Sequence, residues 1–65
     1  MVEKVAHSDF LSVLEVARWL GLSRPMIYKL IKTGELPAVK IGARLLLQRE
    51  EVQNFIERNK IFLDV

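Results

Sequence analysis

SVLEVARWLGLSRPMIYKLIKTG, residues 12–34, reads as two helices with a break between them. Ser12-Val13-Leu14-Glu15 is a capping box, in which the Ser12 hydroxyl and the Glu15 carboxylate each satisfy an amide that the first helical turn leaves open. Val13, Val16, Ala17 and Leu20 then recur at helical spacing and predict one buried stripe. Leu11, just before the cap, is placed to staple onto Val16. Gly21 ends the helix because it accepts a positive φ at low cost. Ser23 is the predicted N-cap of the second helix, with Leu22 stapling onto Ile27. Pro25 is tolerated in a first turn, where its missing amide has no intrahelical partner. Ile27, Leu30 and Ile31 face inward. At 100° per residue, Pro25, Lys29 and Lys32 point the other way, with Tyr28 and Met26 on the flanks. Thr33-Gly34 closes the helix.

The spacing across the break predicts a helix-turn-helix. Ala17 lies four residues before Gly21 and Ile27 six after it. Ala17 must be small where the second helix crosses, and Gly21 makes the turn. Ile27 fills the wedge with Val16, Leu20, Leu22 and Leu30. Downstream, Glu35-Leu36-Pro37 reads as a linker that turns the chain. Ala38–Ile41 and Arg44–Leu47 are strand candidates around Gly42-Ala43. Two registers compete. A two-residue loop, Gly42-Ala43, pairs Ile41 with Arg44 and Val39 with Leu46. A loop that includes Arg44 pairs Ile41 with Leu45 and Val39 with Leu47, and is preferred here because it makes one wholly apolar face. A third helix is expected over Arg49–Arg58, with Val52, Phe55 and Ile56 inward. Glu50 and Glu51 suit its positive end, and Arg58 its negative end. The expected organisation is an N-terminal tail over residues 1–10 that includes His7, a folded domain over 11–59, and an apolar C-terminal tail over 60–65.

Composition narrows the function. The chain has 65 residues, half of them apolar, which suits one small domain. It has no cysteine and one histidine, so disulfides, thiolate chemistry and most metal sites are excluded. No apolar run is long enough to span a membrane or to form a signal peptide, so a cytoplasmic protein is expected. The net charge of +2 hides an asymmetry. Residues 18–44 carry Arg18, Arg24, Lys29, Lys32, Lys40 and Arg44 against Glu35 alone, a local net of +5. The flanking segments are mildly acidic. This predicts one surface that faces a polyanion. No pair of groups is placed for acid–base, nucleophilic or metal chemistry, so no enzyme, cofactor or small-molecule ligand is expected.

The stretch Leu11–Ile56 resembles the excisionase and AlpA-type winged helix-turn-helix DNA-binding domains, relatives of the MerR-like superfamily. Glu15-Val16-Ala17, Leu20-Gly21-Leu22-Ser23, Ile27-Tyr28-Lys29-Leu30-Ile31 and above all Gly34-Glu35-Leu36-Pro37-Ala38-Val39-Lys40-Ile41-Gly42 carry the resemblance. It implies a mainly α fold with a small β-hairpin: three helices plus a two-stranded wing. It also implies that the second helix enters the major groove while the wing lies along the backbone or minor groove. The implied function is an excisionase that binds and bends double-stranded DNA at an attachment site and assists an integrase, in a bacterium or phage-infected host. The alternative is a small AlpA-type transcriptional regulator. An alternative of another class is a protein-interaction module without a DNA role.

The candidate DNA contacts are Ser23, Arg24, Pro25, Tyr28, Lys29, Lys32, Lys40 and Arg44. Arg24 is the candidate to read a guanine through its two-pronged guanidinium. Lys29 and Lys32 are candidates for phosphate or base contact, and Arg44 for a minor-groove or backbone contact at the hairpin tip. Ser23 is a cap first. Trp19 is expected to pack half-buried against the wing or third helix. Ala43 and Leu46 stand where the family often carries basic residues, and Leu14 where a polar residue is common. Leu14, Leu46, Ile61, Phe62 and Leu63 are therefore candidates for apolar protein contact, including cooperative self-association on DNA.

Overall fold

The computed structural model describes residues 9–62. His7 and Leu63 lie outside them. In chain order the elements are β1 (Phe10–Ser12), α1 (Val13–Leu20), α2 (Arg24–Lys32), β2 (Val39–Ile41), β3 (Arg44–Gln48) and α3 (Arg49–Arg58). The three helices and the β2–β3 hairpin are those expected of a winged helix-turn-helix. A third strand joins the hairpin: the antiparallel sheet has the order β1-β3-β2. Phe10, expected in the tail, thus opens a strand and pairs with Gln48.

Local chemistry explains each helix boundary. The Ser12 amide donates to Glu15 Oε1 at 2.8 Å, and the Glu15 amide donates to Ser12 Oγ at 3.1 Å. The capping box therefore forms at the point where β1 becomes α1. Gly21 stops α1 at φ 70°, and the Leu22 amide closes back on the Ala17 carbonyl at 2.9 Å. Ser23 then starts α2, with its Oγ accepting from the Met26 amide. At the other end of α2, Gly34 takes φ 86°. Its amide donates to the Ile31 carbonyl, and that of Glu35 to the Leu30 carbonyl, the paired bonds of a glycine-terminated helix.

The hairpin adopts the register not preferred above. Val39 pairs with Leu46, Lys40 with Leu45 and Ile41 with Arg44. Gly42-Ala43 is the two-residue loop, and Gly42 sits at φ 63°, the backbone that its first position demands. The hairpin is not a closed unit and does not have to bury its own apolar face. Leu47 finds its apolar partner in Leu11 of β1 and has no need of Val39. Leu11, Leu45 and Leu47 share the face that meets the helices. Val39, Leu46 and Ile41 turn outward on the other face.

The core is Val13, Val16, Ala17, Ile27, Leu36, Leu47 and Val52, with Leu11, Leu20, Leu30, Ile31, Leu45, Phe55 and Ile56 packed around it. Leu36 is a correction to the linker reading. It is fully buried, because the terminus of α2 drops the chain straight back onto the core. Arg58 secures that segment from α3 by donating to the Glu35 carbonyl at 2.9 Å. Leu36→Ala should lower unfolding free energy by about 2–5 kcal/mol in a denaturant titration. Ile61→Ala, at a side chain 76% exposed, should change it by no more than about 0.5 kcal/mol.

Candidate nucleic-acid interface

Helix α2 is amphipathic in the simplest sense. Ile27 is fully buried, while Arg24, Pro25, Met26, Tyr28, Lys29 and Lys32 are exposed. The helix carries three basic residues and no acid. Ser23 is occupied as the cap, as expected. Lys40 and Arg44, the two basic residues of the hairpin, are exposed on β2 and β3.

The basic residues divide into two populations by what they touch. Arg58 and Lys60 are engaged within the chain, Arg58 on the Glu35 carbonyl and Lys60 on Glu57 at 3.0 Å. Arg49 lies over the Trp19 ring, 5.8 Å from its centroid, a cation–π arrangement. Among the described residues, Arg18, Arg24, Lys29, Lys32, Lys40 and Arg44 have no ion-pair partner. Five of the six come from α2 and the hairpin, and Arg18 stands on α1. Their charges are uncompensated on the protein, which makes the surface attractive to an anion at range.

The structure also joins residues that the sequence presented singly. Arg24 and Tyr28, one turn apart on α2, line an open cleft of about 200 Å³ together with Arg44 of β3. Ser12, Val13, Leu14 and Leu45 complete it. The two-residue turn is what places Arg44 at the start of β3, within reach of α2. No local sequence signal reveals this juxtaposition, since it depends on the hairpin register. Lys40 lies directly opposite Leu45, one of the cleft residues. Lys29 and Lys32 continue along α2 away from the cleft.

The apolar contact candidates are not brought together. Leu14 lines the basic cleft. Leu46 is half-buried on the outer sheet face, across from Val39. Ile61 and Phe62 are exposed beyond α3. Trp19 packs on the α3 side, where it borders a groove with Gln53, Asn54 and Ile56. Among the described residues, no group of three or more His, Asp or Glu side chains is placed to hold a metal ion, and no helix is long and apolar enough to cross a membrane.

A family model for the helix-turn-helix domain matches residues 10–60, from the first residue of β1 to just past α3. This chain belongs to the helix-turn-helix domain family. The match includes β1, so the third strand lies within the family unit. Among relatives, a Mycobacterium tuberculosis protein named "Putative DNA-binding protein" is 35% identical over 52 residues, which is 80% of this chain and 67% of the relative. An uncharacterized protein of Mycobacterium bovis is 39% identical over 54 residues, 83% of this chain and 47% of that relative. The chain thus spans about half the length of the latter.

Proposed function

We propose that this helix-turn-helix domain binds double-stranded DNA, with α2 in the major groove and the β2–β3 wing against the adjoining backbone. The observation that carries this reading is the set of exposed basic residues on α2 and the wing, Arg24, Lys29, Lys32, Lys40 and Arg44, none of them ion-paired among the described residues. The family match and the DNA-binding name borne by one relative support it. Lys29 and Lys32 are assigned to the polyanion because they project from the exposed side of α2, opposite buried Ile27. Ser23, Pro25 and Tyr28 border the same surface.

Within that reading the chain is an excisionase, a recombination accessory that occupies and bends attachment-site DNA for an integrase. The Gly34–Gly42 run, with its helix end, proline turn and first wing strand, supports this choice. A small AlpA-type regulator would use the same contacts. A footprint of the protein on the DNA around its own gene separates the two. Protection beside an attachment site supports the excisionase, and protection over a promoter alone supports the regulator. A module of this size buries only about 600–1,000 Å² on DNA, so we further propose cooperative loading of several copies. The outward Val39, Ile41 and Leu46 and the exposed Ile61 and Phe62 are the surfaces for it. Deleting residues 60–65 should reduce cooperativity on repeated sites more than affinity for one site.

Four or five neutralised phosphates give an expected slope of log K against log salt of roughly −4 for duplex binding. Lys29→Ala and Lys32→Ala should each weaken binding to all duplexes alike and flatten that slope by about 0.9. A wild-type slope near zero would contradict the DNA reading and favour a protein-interaction module.

A further inference from the structure

We infer that the groove between Trp19 of α1 and the outer side of α3 receives the Ile61-Phe62 segment of a second copy of this chain, so that two copies form a two-fold symmetric dimer. The inference rests on the self-association proposed above and gives it a contact. It makes no use of the DNA reading, and its test contains no DNA.

The groove has a volume of about 490 Å³ and is lined by Trp19, Gln53, Asn54, Ile56, Glu57 and Lys60. None of these belongs to α2 or the wing. Arg49 stands over the Trp19 ring, 5.8 Å from its centroid, yet Trp19 remains 40% exposed. A part-covered indole beside an aliphatic side chain gains stability when a further apolar group displaces water from it. The chain displays such groups just beyond the groove. Ile61 is 76% exposed and Phe62 90%. Lys60 is both a wall of the groove and the residue before Ile61. An apolar segment and an apolar recess thus stand side by side in one chain, and neither Ile61 nor Phe62 lines the recess.

This adjacency selects a second copy as the occupant. A two-fold axis between segment and recess lays each copy's segment in the other's recess, so one contact made twice covers all four surfaces. Charge agrees. Glu57 and Lys60 pair within the chain at 3.0 Å, and both side chains are exposed. When two copies of α3 run in opposite directions about an axis between these residues, Glu57 of each faces Lys60 of the other. The in-chain pair is then exchanged for two pairs between copies, with no charge left over. Gln53 and Asn54 are uncharged. The same arrangement carries the second copy's Ile61 toward Ile56 and its Phe62 toward Trp19. To enter its own recess, the segment would have to reverse direction immediately after Lys60, whereas a second copy takes it as it stands. Two phenylalanines bury about 300–500 Å² between them, which places the contact at the small end of interface sizes. The dimer is therefore weak and forms as concentration rises.

Trp19 is the only tryptophan of the chain, so its fluorescence reports on the groove itself. The full chain is followed by sedimentation velocity and by Trp19 emission from micromolar to millimolar concentration. The mass should rise from one copy toward two while the emission shifts to the blue over the same range. Phe62→Ala removes a side chain that is 90% exposed, so it should leave the circular dichroism spectrum unchanged and weaken association by about tenfold or more. An exposed ion pair contributes little to folding, so the charge variants fold too. Glu57→Lys and Lys60→Glu should each stay single when alone and associate when mixed, since the mixture restores opposite charges at both contacts. A chain that stays single throughout overturns the inference. If Phe62→Ala then shifts the emission of that single chain, the occupant is the chain's own tail. Association that survives Phe62→Ala also overturns it and moves the contact to Val39, Ile41 and Leu46. A mixture of charge variants that stays single overturns the facing of the two α3 helices. Each of these failures leaves the DNA reading standing.

Discussion

The left-handed turn at Gly21 is the constraint on which the rest of the molecule depends. It lets α2 begin with only three residues between it and α1, with the Leu22 amide already bonded back to Ala17. Apart from its chain neighbours, nothing among the described residues lies within 4 Å of where a Cβ on Gly21 would stand, so the demand for glycine there is conformational and not steric. From that turn the crossing follows. Ala17 is small enough to pass beneath α2, and Ile27 drops into the wedge as a fully buried side chain. Burying Ile27 in turn fixes which side of α2 faces solvent. The basic surface is thus the geometric complement of the core.

The second organising element is β3. It is the central strand, bonded to β1 on one side and β2 on the other. Leu47 joins the sheet to the helical core. Arg44, at the opposite end of the same strand, stands in the cleft against α2. One five-residue strand therefore transmits the position of the core to the position of the wing. The α2 terminus acts similarly. Its glycine ending sends Leu36 into the core and delivers the Glu35 carbonyl to Arg58 of α3. The loop before the wing is held at both ends.

What the sequence revealed was local. The Ser12–Glu15 box, the Gly21 stop, the Ser23 cap and the inward stripe of α2 are each written within a few neighbouring residues, where spacing and side-chain chemistry act directly. The limits of α3 were legible for the same reason. The misreadings were non-local. β1 is three residues long and has meaning only through Leu47, far along the chain. Without it, the hairpin looked as though it had to bury its own apolar face, and the wrong register followed. Leu36 looked like a linker because its burial depends on bonds back to Leu30. The candidate contacts were found singly, through charge and helical phase. That Arg24, Tyr28 and Arg44 border one cleft was invisible, since it depends on the two-residue register of the hairpin.

DNA binding in this mode requires that α2 and the wing form one DNA-facing surface. Amide chemical-shift mapping of the isotopically labelled protein, titrated with duplex DNA, tests this most directly. The largest shifts should fall at Ser23–Lys32 and Lys40–Leu45, with the Trp19 side of α3 undisturbed. Shifts centred on Trp19, Gln53 and Asn54, or no shifts on α2, would contradict it.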